Sequence, residues 1–203
     1  MPEMKFVGGH PCLDFVNTVG ARVSRVKKGR DYADVVLRDK LTDYQALASW
    51  SSLAGLSTAK ELRAARLRPE AAARILKRAV RLREALYRIL KSFLEGWRPP
   101  QADVDILTRE LLAARSHERL LISRTGLVWA WNDSEELLEI PLWRLAQSAE
   151  DLFRSADLKR LRQCGGDECG WLFLASRNRS RRWCDMKECG NRAKVRRFRE
   201  RHT

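Results

Sequence analysis

Apolar positions recur at helical spacing most clearly between Pro69 and Gly96. Ile75, Ala79, Leu82, Leu86, Ile89 and Phe93 lie four and three residues apart, which places them on one stripe of a helix started by Pro69 and stopped by Gly96. The other side carries Lys77, Arg81, Glu84, Arg88 and Lys91 and reads as a solvated face. A second helix is predicted from Ala102 to His117, with Val104, Leu107, Leu111 and Leu112 inward, and a third from Pro141 to Ser155 through Leu142, Leu145, Ala149, Leu152 and Phe153. Nearer the start, Thr42-Asp43 opens an amphipathic segment through Leu47, Trp50 and Leu53, closed by Gly55. Thr58 to Glu61 fits a capping box and starts another helix.

The period changes to two in Leu120–Ser123 and Leu127–Trp131, on either side of Arg124-Thr125-Gly126. This predicts a β-hairpin with Trp129 and Trp131 on one face, read as core packing. Leu13 to Val19 is too short an apolar run to assign, and the charged stretch 22–40, broken at Lys27-Lys28-Gly29, reads as a solvated loop. The pattern implies an α+β chain, mainly helical with a small antiparallel sheet.

Composition adds a second division. The 203 residues hold 44% hydrophobic residues, enough for a core, and 40 Lys+Arg against 26 Asp+Glu, a formal charge of +14. From Cys164 onward, 11 bases face 5 acids, and four of the five cysteines fall in the same stretch. A domain boundary is therefore expected near residue 160, between residues 1–160 and 161–203. No apolar run reaches membrane-spanning length, and Met1 to Phe6 lacks an apolar signal core, so a cytoplasmic protein that binds no membrane is expected.

The cysteines are spaced Cys164-x4-Cys169, then fourteen residues, then Cys184-x4-Cys189. Two such pairs suit one metal held by four thiolates, with Gly165-Gly166 and Gly170 easing the first turn. One structural Zn²⁺ per chain is the leading reading; an iron–sulfur cluster is the alternative. Two disulfides fit poorly without a secretory signal, and a redox pair would want Cys-x-x-Cys. Four thiolates leave no coordination position for a catalytic water, so the metal serves folding. Cys12 stands apart and reads as a buried free thiol.

Trp171 to Ser176 is a strand-like run, followed by the basic turn 177–182 and a helix over 192–201 in which Val195 and Phe198 would pack under the metal. Arg177, Arg179, Arg181 and Arg182 on the turn, with Arg192, Lys194, Arg196, Arg197 and Arg199 on the helix, form a dense cationic set. Such a set suits phosphate oxygens of nucleic acid, against the plainer reading of a solvated basic tail.

Cys189-Gly190-Asn191-Arg192 spells the signature of the CGNR zinc fingers. Trp171-Leu172-Phe173, Ser176-Arg177-Asn178, Arg181-Arg182-Trp183-Cys184 and Ala193-Lys194 are similar to that family as well. Gly9-His10-Pro11-Cys12-Leu13-Asp14-Phe15-Val16-Asn17-Thr18 resembles the start of the ABATE domain that precedes this finger. The chain departs from the finger pattern at Phe173-Leu174-Ala175-Ser176, which lacks an Asp between the Phe and the Ser and is one residue shorter.

The resemblance implies a treble-clef or zinc-ribbon-like finger that binds DNA in a stress-induced transcription regulator. The ABATE-like domain is read as sensing an unknown small ligand or mediating association, and a homodimer is expected because one small module would bind with weak specificity. RNA or the ribosome is the alternative target, since DNA and RNA binders share the same basic footprint. His10, Asp14 and Asn17 are the candidates for a ligand pocket. They would also be the candidates for catalysis were the domain an enzyme, but the reading adopted is non-enzymatic.

Overall fold

The computed structural model describes residues 4–26, 32–56, 68–131 and 138–202, with the backbone alone at 23–26, 32–35 and 131. The chain divides into two compact units: Met1–Thr42 joined to Asp151–Thr203, and Asp43–Glu150. No helix among the described residues is long and apolar enough to cross a membrane. The fold is α+β, mainly helical, with three two-stranded antiparallel sheets among the described residues.

In the unit Asp43–Glu150, α2 (Tyr44–Leu53) starts at Asp43, whose carboxylate accepts the Ala46 N–H at 2.7 Å. The long helix α3 spans Pro69–Glu95 and ends at Gly96, which takes the left-handed conformation at φ 70°. Its predicted stripe is buried through Ile89, and Ala72, Ala85, Tyr87 and Leu90 widen it; Phe93, at its end, is exposed. The proposed capping box at 58–61 lies outside the described residues.

Helix α4 (Gln101–Ser116) turns only part of its predicted stripe inward: Leu107 is buried, and Val104 and Leu111 are half-buried. Leu112 is exposed, and the buried positions are Asp103, Ile106, Leu107, Glu110 and Ala114. The reason lies on α3. Arg88 donates to the Asp103 carboxylate at 2.6 and 2.8 Å, and Arg78 to Glu110 at 2.7 and 3.2 Å. Two bidentate ion pairs thus fix the rotation of α4, and Arg88 belongs to a helix–helix contact rather than to a purely solvated face.

Strands β3 (Glu118–Ser123) and β4 (Gly126–Trp131) form the expected hairpin, with Leu120 opposite Trp129 and Ile122 opposite Leu127. Trp129 is not core, however: it is 68% exposed. Helix α5 (Ile140–Arg154) follows, with Leu142, Leu145, Ala149 and Leu152 buried as predicted. Trp143 joins Ile140 and Ala114 in a small core cluster, and its ring stacks on His117 at 4.3 Å.

In the other unit, α1 (Pro11–Val16) leads into β1 (Val19–Val26), which pairs antiparallel with β2 (Tyr32–Asp39). Where it is described, the solvated loop expected over 22–40 is thus two paired antiparallel strands. Its charge misled because Arg22 is buried, where it donates through Nη2 to the Val16 carbonyl at 3.2 Å. A 3₁₀ turn, Ala156–Arg160, precedes β5 (Leu161–Gln163), which pairs with β6 (Leu172–Leu174). One wide turn, Met186–Gly190, then leads directly into α6 (Asn191–Arg201).

Candidate metal centre and basic surface

All four cysteine sulfurs of the predicted set converge, each within 4.8 Å of the others, and all four residues are buried. Cys164 follows β5, and Cys169 closes the knuckle before β6. Cys184 precedes the wide turn, and Cys189 lies within it, next to α6. The sulfurs of Cys169 and Cys184, and those of Cys184 and Cys189, are 3.6 Å apart. Tetrahedral zinc at about 2.3 Å from each sulfur requires about 3.8 Å between sulfurs, so the donor set fits the ion.

Backbone groups support the cage. The Cys184 N–H donates to Cys164 Sγ at 3.2 Å and the Gly166 N–H at 3.4 Å. The Cys164 thiol is held far below its ordinary value, first by the Cys169 and Cys184 thiols beside it and further by these N–H groups. Arg192 Nη2 donates to Cys189 Sγ at 3.0 Å, three residues along the helix, placing a cation against a thiolate of the cage. A side chain at Gly166 would meet Cys189 Sγ at 3.1 Å, which is why the knuckle passes so close to the sulfurs.

The cage is completed by the distant N-terminal segment. Asn17 donates through Nδ2 to the Leu172 carbonyl at 2.8 Å and accepts the Leu172 N–H at 3.0 Å, acting as a short strand beside β6. The Trp171 indole donates to the Val19 carbonyl at 3.0 Å, and the Leu174 N–H to the Gly8 carbonyl at 2.8 Å. The Arg22 N–H donates to the Cys169 carbonyl at 3.2 Å. Gly170 is required at that crossing: its φ is 66°, and a Cβ there would lie 2.6 Å from Arg22 Cβ. Val19 shares one buried cluster with the four cysteines, Trp171, Phe173 and Ala175.

Each of the three residues expected to line a ligand pocket has partners within this unit. Asn17 makes its two hydrogen bonds to β6. The Asp14 carboxylate accepts the Gly8 N–H at 2.7 Å; burial pushes its carboxyl up to about 6, with the Gly8 and Val7 N–H groups and Arg181 pulling the other way. His10 caps α1, its Nδ1 facing the Cys12 N–H at 3.4 Å. Burial lowers the pKa of its imidazole, against a smaller raising effect of Asp151 and Asp157. Cys12 is the fully buried free thiol expected, its pKa raised by burial and by Asp14.

The basic residues divide into two groups. Arg181 donates to the carbonyls of Trp183 at 3.0 Å, Val7 at 2.7 Å and Cys184, and stacks over Phe173 at 4.4 Å. Arg196 pairs with Asp167, and Arg192 with the Cys189 sulfur. Arg181, half-buried, ties the unit together, whereas Arg192 and Arg196 make their contacts from exposed positions. Arg177, Arg179, Arg182, Lys194, Arg197 and Arg199 are exposed, as are Lys187 and Arg201. Val195 and Phe198 do not pack under the metal: they are 43% and 63% exposed, because only Ala193 of α6 turns inward.

Four thiolates on a knuckle and a helix start define a zinc-finger protein whose single Zn²⁺ is structural. Residues 160–202 match the CGNR zinc finger, and residues 9–156 match ABATE, described as "Putative stress-induced transcription regulator". The chain belongs to the ABATE family and carries a CGNR finger. Both are regulator and zinc-finger families, not enzyme families. No curated protein matches the chain.

The sequence reading missed the Asn17 bridge, the Arg181 clamp and the Arg192–sulfur contact. Only the last had a signal, since residues three apart share a helix face.

Proposed function

We propose that this protein regulates transcription by binding DNA through the exposed cations of its zinc unit. The observation that carries the reading is the separation of the arginines. Arg177, Arg179 and Arg182, with Lys194 and Arg197, are exposed and make no ion pair among the described residues. Arg181, Arg192 and Arg196 hold their scaffold instead. Cations kept out of internal pairs on a metal-rigidified frame are suited to gripping phosphates. The helical unit mediates association of copies, which would compensate for the weak specificity of one small module.

Duplex binding followed by anisotropy over a salt series tests the reading. Replacing Arg177, Arg179 and Arg182 by alanine should lower the slope of log K against log salt by about 3, one per phosphate contact. An unchanged slope would return these residues to a solvated basic tail. Exposed Phe198, stacked on His202 at 4.1 Å among these cations, favours a second reading, single-stranded RNA. Tighter binding of unpaired RNA than of duplex DNA, lost in Phe198→Ala, would select it.

A further inference from the structure

We infer that the β3–β4 hairpin is a self-association surface whose occupant is a second copy of this chain. The inference deepens the reading of the helical unit as mediating association. In the register of the hairpin, Leu120 faces Trp129 and Ile122 faces Leu127, so the alternation gathers these four side chains on one face. That face is turned outward: Leu120 is 49% exposed, Ile122 89%, Leu127 65% and Trp129 68%. A half-buried hairpin normally places its apolar face on the core and its polar face in water. Here the other face, with Arg119, Leu121, Val128 and Ala130, is less apolar and less exposed, Leu121 at 46% and Val128 at 41%.

A two-stranded hairpin is marginal by itself in water, and no third strand pairs with it among the described residues. Four large apolar side chains at this exposure leave roughly 500 Å² of apolar surface in one patch, at the upper end for a monomer. Two copies packed face to face across a two-fold axis would bury about 1,000 Å², the threshold of a specific interface. The chemistry of the face excludes the partner of the zinc unit. No charged residue interrupts it between Leu120 and Trp129, apart from Arg124 in the turn at its tip. Arg119, the neighbouring cation, is folded back, donating to the Ser116 and Glu118 carbonyls at 3.1 and 2.8 Å. Apart from Glu118 at its base, which accepts from Gln147, the face is uncharged and identical in each copy, so it is complementary to itself.

The test is sedimentation equilibrium of the full, zinc-loaded chain from about 1 to 100 µM, the range in which an interface of this size associates. The wild type should be dimeric. Ile122→Lys should raise the dimer dissociation constant by at least about 30-fold with an unchanged melting temperature, since the replaced side chain is already in water. Trp129→Glu should do the same, and Leu112→Lys, an exposed leucine on α4, should leave the dimer intact. A wild type that stays monomeric overturns both this inference and the association reading. A wild-type dimer untouched by Ile122→Lys and Trp129→Glu overturns the hairpin alone, as does a dimer lost equally in Leu112→Lys.

Discussion

The two units solve the same problem with opposite means. Around α3, order comes from a wide apolar stripe and from two ion pairs that set α4 against it, all between neighbouring elements of the chain. Around the cysteines the apolar cluster is small, Val19 with Trp171, Phe173 and Ala175. Order comes from four sulfurs and from directed bonds that residues 5–22 make to a segment about 150 residues away, such as Asn17 to Leu172. A stripe tolerates substitution because burial is non-directional, whereas a cage held by individual bonds fails one bond at a time.

Metal removal is the strongest way to break this contrast. Chelation should unfold the zinc unit, including the β1–β2 hairpin, while α3 and α4 keep their helicity. Structural zinc contributes about 10–16 kcal/mol in small modules. Hydrogen exchange should therefore show lost protection at Leu172 and retained protection at Leu86. A single cooperative loss across both regions would refute the separation.

Next in size is Asn17→Ala, which strips both hydrogen bonds from the buried Leu172 backbone. The expected cost is about 2–4 kcal/mol, confined to the zinc unit and read as an earlier first transition in a thermal melt.

Smaller still is the titration of Asp14. Its folded-state value, about 6, lies above the ordinary 3.8, so the native chain holds this proton longer than the unfolded one. The stability it lends is complete below about pH 4 and is lost as pH rises through 6. Relative to Asp14→Asn, the wild type should weaken by about 1–1.5 kcal/mol between pH 5 and 7, measured by denaturant unfolding at saturating zinc.

The smallest effect separates two adjacent arginines. Arg181→Ala should lower the stability of the zinc unit by about 1–3 kcal/mol, since it withdraws donors from three carbonyls. Arg182→Ala should leave the melt unchanged and reduce the salt slope of DNA binding by about 1.

The metal cage was legible in the sequence because thiolate chemistry leaves few alternatives for two spaced pairs. Helix α3 was legible because its apolar period is sustained from Ala72 to Leu90. What was hidden depends on polar groups used inside. Arg22 made a strand look like a solvated loop, and the burial of Asp103 and Glu110, which leaves Leu112 outside, is not visible in the apolar spacing of α4. For Asn17, Asp14 and His10, the candidates for a ligand pocket, nothing in their spacing shows that Asn17 also bonds β6, Asp14 the Gly8 N–H and His10 the start of α1. Arg181 and Arg182 cannot be told apart by type; only the carbonyls around Arg181 distinguish them. Val195 and Phe198 sit at helical spacing, but the finger has no apolar layer wide enough to receive them.

The joining of both chain ends in the zinc unit has a consequence for synthesis. Residues 5–22 leave the ribosome first, yet the backbone they bind, from Cys169 to Leu174, is made about 150 residues later, a delay of about 7–30 s at ordinary elongation rates. During that interval the helical unit can fold alone, and the early segment waits with Asn17 and the Gly8 carbonyl unbonded. Metal capture is therefore the last act of maturation. A chain interrupted before Cys189 would carry a finished helical unit and a waiting N-terminal segment, but no finger.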